Sequence, residues 1–362
     1  MRRGRPSRPL SAMNNTQGSA WTLRQGIETL FPGYFAMVMA TGIVSIAAFL
    51  EGFTSLGMAL LALNIIFYIG LLILLLMRTL VFPGKVKQDI LDHVRGPGFF
   101  TLPAATCVLG SQLVILRQIF DAALGLWIFG TITWAIVMYT FFAAVTTREE
   151  KPPLVQGLNG SWLIAAVATQ SVSVLGTLLA GHYTDHANTL LFFTTCMFMV
   201  GCMLYVILIT LIFYRFTFLD LTSDRLTPPY WINMGAVAIT TLAGSRLVLA
   251  SATDPLLSQL VPFVKGFTLF FWAAGSWWIP LLFILGFWRH VYKRYPLRYD
   301  PQYWGLVFPL GMYTVCTFQL SKALDFEALM VIPSIFVYVA LLAWLAAIVG
   351  FILAWLPGRA AK

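Results

Sequence analysis

Charge is scarce in this sequence. Asp, Glu, Lys and Arg together make up 10% of 362 residues, where a soluble domain carries about a quarter. That scarcity excludes a water-soluble globule. Strict polar–apolar alternation is also missing, which excludes a β-barrel with a polar lumen face. Acids are absent in a more particular way, since none of the 14 Asp and Glu falls in the middle of an apolar run. Proton- and sodium-coupled carriers usually place an acid or a histidine inside the membrane. Here His93, His182, His186 and His290 lie in polar breaks or at run ends. Cysteine is limited to Cys107, Cys196, Cys202 and Cys316, all inside apolar runs, so neither a disulfide framework nor a metal cluster is implied. His182 and His186, four residues apart around Asp185, are the one metal candidate, but no further ligand stands near them. No metal and no cofactor is expected. The glycine-rich breaks carry no phosphate-loop lysine. The basic start, Met1 to Arg8, is followed by a polar stretch and does not read as a signal peptide.

What is present is apolar surface: 59% hydrophobic residues and a mean hydropathy of +0.82. A helix needs about 20 apolar residues to span a bilayer. Ten stretches qualify, at 29–50, 57–77, 98–119, 122–145, 157–180, 189–216, 232–252, 263–288, 303–323 and 329–356. The expected fold is an all-α polytopic membrane protein of ten transmembrane helices arranged as five hairpins. Residues 1–26 read as a basic, disordered cytoplasmic tail, 27–356 as the ten-helix domain and 357–362 as a short cytoplasmic tail.

The net charge of +9 is distributed by side. Of the 23 Lys and Arg, all but Arg117, Arg246, Lys265 and Lys322 fall at the end where both termini would lie. By the positive-inside rule that end is cytoplasmic, which suits a multi-pass protein of the inner (plasma) membrane. The same distribution argues against nucleic acid as a partner, because no basic-aromatic face exists outside the spans.

The two members of each hairpin differ in kind. Even spans are smooth and bulky; odd spans are small, polar and broken, as in Gly96-Pro-Gly-Phe-Phe-Thr-Leu-Pro103 and Gly157-Leu-Asn-Gly-Ser161. Lipid offers no hydrogen bonds, so broken helices should face protein or a watery cavity. An inner ring of odd helices around a pore, with an outer ring of even helices, is therefore expected. Small residues also permit close packing of helices, but strict alternation is more than packing requires. At helical spacing the expected pore-lining residues are Thr41, Ser45, Thr106, Gly110, Asn159, Ala166, Gln170, Ser173, Gly235, Ala243, Met312 and Gln319. Arg246, Arg117 and Lys322 project from odd spans near their outer ends with no acid beside them, an arrangement that attracts anions. Arg246 lies deepest. Long cations near a span end can also snorkel to the interface.

Three segments carry a family resemblance: Phe31-Pro-Gly-Tyr-Phe-Ala-Met-Val-Met-Ala-Thr-Gly42, Trp231-Ile-Asn-Met-Gly-Ala236 with Thr241-Leu-Ala-Gly244, and Trp304-Gly-Leu-Val-Phe-Pro309. In that order, with ten spans, they resemble the tellurite-resistance/dicarboxylate transporter family. That family also holds plant guard-cell slow anion channels and fungal malate and sulfite transporters. The resemblance covers residues 27 to 356. It implies a pore within each protomer, a homotrimer, and a phenylalanine on the ninth helix that plugs the pore, here Phe308. Phe308 also shares a helical stripe with Gln319 and Lys322.

The expected function is passage of a small anion (an inorganic anion, sulfite or a C4-dicarboxylate) across the lipid bilayer by passive, channel-like efflux. With the cell interior negative, each elementary charge feels about 2.3 kcal/mol per 100 mV, which drives anions outward. The alternative is a coupled C4-dicarboxylate or malate carrier of the same fold. A membrane-embedded enzyme acting on lipids is more remote, because it would need acid, histidine or metal motifs that the sequence does not offer.

Overall fold

A computed structural model describes residues 23–355; the two expected tails, except for residues 23–26, lie outside the described residues. Among these the secondary structure is all helical. Ten long helices dominate it: α1 (Ala36–Leu50), α2 (Thr54–Val81), α3 (Thr101–Arg117), α4 (Phe120–Thr147), α5 (Ile164–Ala180), α6 (Ala187–Phe218), α7 (Ile232–Ala250), α8 (Pro255–Phe287), α9 (Trp304–Leu324) and α10 (Val331–Trp355). Counted with the short helical turns joined to some of them, nine are long and apolar enough to cross a membrane. The exception is α9, which is long enough at 21 residues but diluted by Gln319, Ser321 and Lys322. Helix α8 starts eight residues before the apolar run suggested. Asp254 caps it by accepting a 2.7 Å hydrogen bond from the Leu257 amide, and Pro255 occupies the first turn, where a missing N–H costs nothing.

Odd helices form a closed inner ring, each packing on the next and α9 returning to α1. Each even helix packs outside its own hairpin partner and against the following odd helix. Burial follows this order. The apolar windows of α1, α3, α5 and α7 are 78–100% buried within the protein, against 17–39% for the even helices. The exposed faces of the even helices are apolar, as at Ile66, Ile136, Phe192, Phe270 and Leu342, which is what contact with lipid requires.

Every odd helix begins with a 3-10 turn: Pro32–Phe35, Gly96–Phe100, Gly160–Leu163, Pro228–Trp231 and Pro301–Tyr303. Four of the five have proline in the first turn, where its fixed φ suits helix initiation. These turns also touch in sequence and close a ring of their own, here termed the collar. Glycine is required where they meet. A Cβ on Gly160 would fall 2.3 Å from the Pro229 carbonyl oxygen, and one on Gly98 would fall 2.8 Å from the Gly33 nitrogen.

Buried arginines at the ends of even helices brace the collar. Arg78 donates to Asp89 at 2.7 Å and to the Glu28 carbonyl at 3.2 Å, while Arg95 holds both oxygens of the same Asp89. Arg215 donates to the Leu158 carbonyl and the Tyr230 hydroxyl.

Candidate anion pathway

Two cavities lie on the axis of the inner ring, and both are lined by odd helices and collar turns, with Phe31 just before the first turn. The two are similar in size. They share no lining residue. The collar-side cavity ends at Met39, Val167, Ile232 and Phe308, and the far one begins at Ile43, Cys107, Ser171, Ile239 and Met312. Phe308, 2% exposed, therefore stands at the division between them. The residue after it, Pro309, lies inside α9 and removes one backbone donor from the helix.

Arg246 is the single charged side chain on either cavity among the described residues. It lines the far cavity, where its Nη1 donates to the Gln319 Oε1 at 3.4 Å. Its Nε is buried without a partner. Among the described residues no carboxylate lines either cavity. The arginine thus sits half-buried in a mostly apolar chamber, where a fixed positive charge is screened less than at the surface. Arg117 and Lys322 sit farther out and are exposed. Lys322 places its Nζ 4.4 Å from the centre of the Phe318 ring.

Met312, Gln319, Arg246 and Phe308 come together on the axis. The polar residues of α1, α3 and α5 expected on the axis find their hydrogen-bond partners elsewhere. Thr41 accepts a hydrogen bond from the Trp344 indole of α10 at 3.0 Å. Ser45 donates to the Gly57 carbonyl on α2 at 2.7 Å. Thr106 pairs with the Tyr68 hydroxyl of α2 at 2.9 Å. Gln170 and Ser173 donate to the Phe198 and Thr194 carbonyls of α6. Asn159 caps its own turn by accepting from the Ser161 amide. Gly110 sits against Leu175, and Gly235 against Pro309. Ala166 and Ala243 are fully buried and line neither cavity. The physical reason is that a buried donor without a partner costs on the order of 1–3 kcal/mol, and the outer helices supply those partners.

The axial walls are mainly apolar: Ile43, Val108, Val174, Leu242 and Val315 in the far cavity. Ser111 and Ser171 add hydroxyls there, but each donates to a carbonyl of its own helix, at 2.9 and 2.8 Å. Polarity offered no signal for these positions.

A family model described as voltage-dependent anion channel (SLAC1) matches residues 29–352. An uncharacterized membrane protein of Mycobacterium tuberculosis is 41% identical over 141 residues, which cover 39% of this chain and 71% of that protein. An uncharacterized transporter of Methanocaldococcus jannaschii is 25% identical over 310 residues, covering 83% and 87%. A sulfite efflux pump of Arthroderma otae is 24% identical over 345 residues, covering 88% of each chain.

Proposed function

We propose, since this chain belongs to the SLAC1 family of voltage-dependent anion channels, that it conducts a small anion along the axis of the inner ring by passive, channel-like efflux. The family is one of channels and transporters and not of enzymes. The observation that carries the reading is the pair of axial cavities divided at Phe308, with Arg246 as the one charge on the path. Arg246 raises the local concentration of anions, and the absence of a facing carboxylate keeps that charge unneutralised. The Phe308 ring acts as the gate, because an ion cannot shed its hydration beside an apolar ring without compensating dipoles. Helix α9 counts as the tenth span in this reading. The collar faces the cytoplasm, as the cation asymmetry suggests, and an impermeant maleimide should reach a cysteine at Lys85 only from that side. The family resemblance supports a homotrimer, which light scattering on the purified protein tests.

The similarity to a sulfite efflux pump supports sulfite as one candidate; nitrate, chloride and malate are the others to compare. The test is a flux assay in proteoliposomes across these anions. Valinomycin-dependent flux proportional to driving force is the expected result. Saturable flux that follows a pH gradient would instead mark a coupled dicarboxylate carrier.

A further inference from the structure

Helix α8 runs for 33 residues, about 50 Å at 1.5 Å per residue, against a hydrocarbon core of about 30 Å. It belongs to the outer ring, and its apolar run ends at Trp288, so the polar residues beyond it lie in the headgroup layer at the collar end. Beyond Phe287 the chain does not simply leave as a loop. It widens into a π-helical turn, Trp288–Tyr292, closed by the Lys293 amide on the Trp288 carbonyl five residues back. Arg294 then takes a left-handed φ of 52°, and the chain folds back. The Arg289 guanidinium lies 4.3 Å from the centre of the Tyr295 ring, and His290 Nδ1 is 2.9 Å from the Tyr295 carbonyl oxygen.

This folded segment presents Lys293, Arg294 and Arg298 to the outside, and none of them has an ion-pair partner among the described residues. Beside them stand exposed apolar groups: Phe287 at 64%, Val291 at 57%, Tyr292 at 72% and Leu297 at 76%. Arg289, buried to 7% exposure, keeps an Nε without an acceptor. Unpaired cations alternating with exposed apolar side chains at headgroup depth match the two faces of an anionic lipid. The cations meet a phosphodiester, and the apolar groups enter the acyl boundary.

We propose that residues 288–298 form a headgroup site for an anionic phospholipid of the leaflet at the collar end. Orientation by charge alone needs neither the folded turn nor the apolar side chains interleaved with the cations. From Arg298 the chain passes directly to Asp300, which caps the turn Pro301–Tyr303, and then into α9. Tyr299 meanwhile accepts from the Trp304 indole at 3.1 Å and packs on Phe351. A bound headgroup therefore steadies the start of the helix that carries Phe308.

The test uses the purified full chain in detergent, melted with added phosphatidylglycerol, phosphatidylcholine or inorganic phosphate. Phosphatidylglycerol should raise Tm by several degrees more than phosphatidylcholine, and inorganic phosphate should leave it unchanged. The triple variant Lys293→Gln, Arg294→Gln, Arg298→Gln should lose most of that difference. A second triple variant, Lys87→Gln, Lys151→Gln, Arg225→Gln, removes three exposed cations from the same end and should keep it. Full retention in the first variant, or equal loss in the second, would overturn the site in favour of diffuse charge. An equal shift with inorganic phosphate would overturn the lipid as its occupant.

Discussion

Pro309 of α9 lies against Gly235 of α7 so closely that a Cβ on the glycine would fall 2.7 Å from the proline Cγ. Two motifs far apart in sequence thus meet where α9 must turn Phe308 toward the axis. Gly235→Ala should push α9 away from α7 at that level. Overpacking of this kind costs about 1–3 kcal/mol. The expected outcome is a lower Tm together with raised anion conductance, since the ring beside Pro309 would no longer be held in place. A variant with lower Tm and parental conductance would show that the contact serves packing alone.

Asp89 accepts hydrogen bonds from two arginines, one of them Arg78 at 2% exposure. Removing the acid leaves a buried cation unpaired, a loss of about 3–5 kcal/mol. Asp89→Asn should therefore melt well below the parent. Asp89→Asn with Arg78→Met should recover much of the loss, because the buried charge left unpaired is then removed. A double variant as unstable as the single one would place the energy in packing.

Much of the fold was legible because lipid penalises polarity so evenly. The odd spans carried proline, glycine and hydroxyls, and they became the inner ring; the even spans carried Leu, Ile and Phe, and they became the outer ring. The axial face was legible only in part. On α9 the stripe of Phe308, Met312 and Gln319 reaches the cavities because Lys322 and Gln319 fix which side is polar. On α1, α3 and α5 the polar residues marked the other buried face. Four indoles and phenols of the outer ring, Tyr68, Trp134, Trp272 and Trp344, each need a partner in lipid, and Thr106, Thr169, Thr317 and Thr41 supply it. Those outer aromatics were the signal that could have separated the two faces. Apolar lining such as Val108 or Leu242 has no signature that distinguishes it from core.

His93, in the loop between Asp92 and Val94, stands beside Trp162 with its Nδ1 buried and unpartnered. Burial lowers its pKa first, Arg148 and Lys151 lower it further, and Asp92 opposes them. A histidine with a depressed folded pKa favours the neutral form in the native state. Its contribution to stability is complete above the ordinary value of about 6.5. It is lost as pH falls through the folded pKa, because the unfolded chain takes the proton first. Tm should therefore decline below about pH 6.5, and His93→Gln should flatten part of that decline. Parallel curves for the two proteins would assign the pH dependence to other groups.

Arg246 is the deepest cation on the axis, with Gln319 as its partner. Arg246→Ala should cut anion flux severalfold, with the protein still folded by Tm. Arg246→Lys should keep part of the flux if a point charge suffices, and less if the planar fork matters. Flux in Arg246→Ala equal to the parent would mean that the guanidinium only reaches toward the outer interface.

Phe308 separates two cavities that otherwise share the same five-helix wall. Met39, Val167 and Ile232 line the collar-side cavity together with it. One benzyl group can close such a bore by excluding water. Cutting it back to Ala would join the cavities into one path. Phe308→Ala should then raise anion conductance strongly, while the preference for anions over cations persists, because that preference depends on Arg246. Truncating an aromatic on the lipid side, Phe192→Ala at 59% exposure, should leave conductance near the parental value. If folded Phe308→Ala conducts no more than the parent, the barrier lies elsewhere. A slow conformational cycle would then set the rate, as in a carrier.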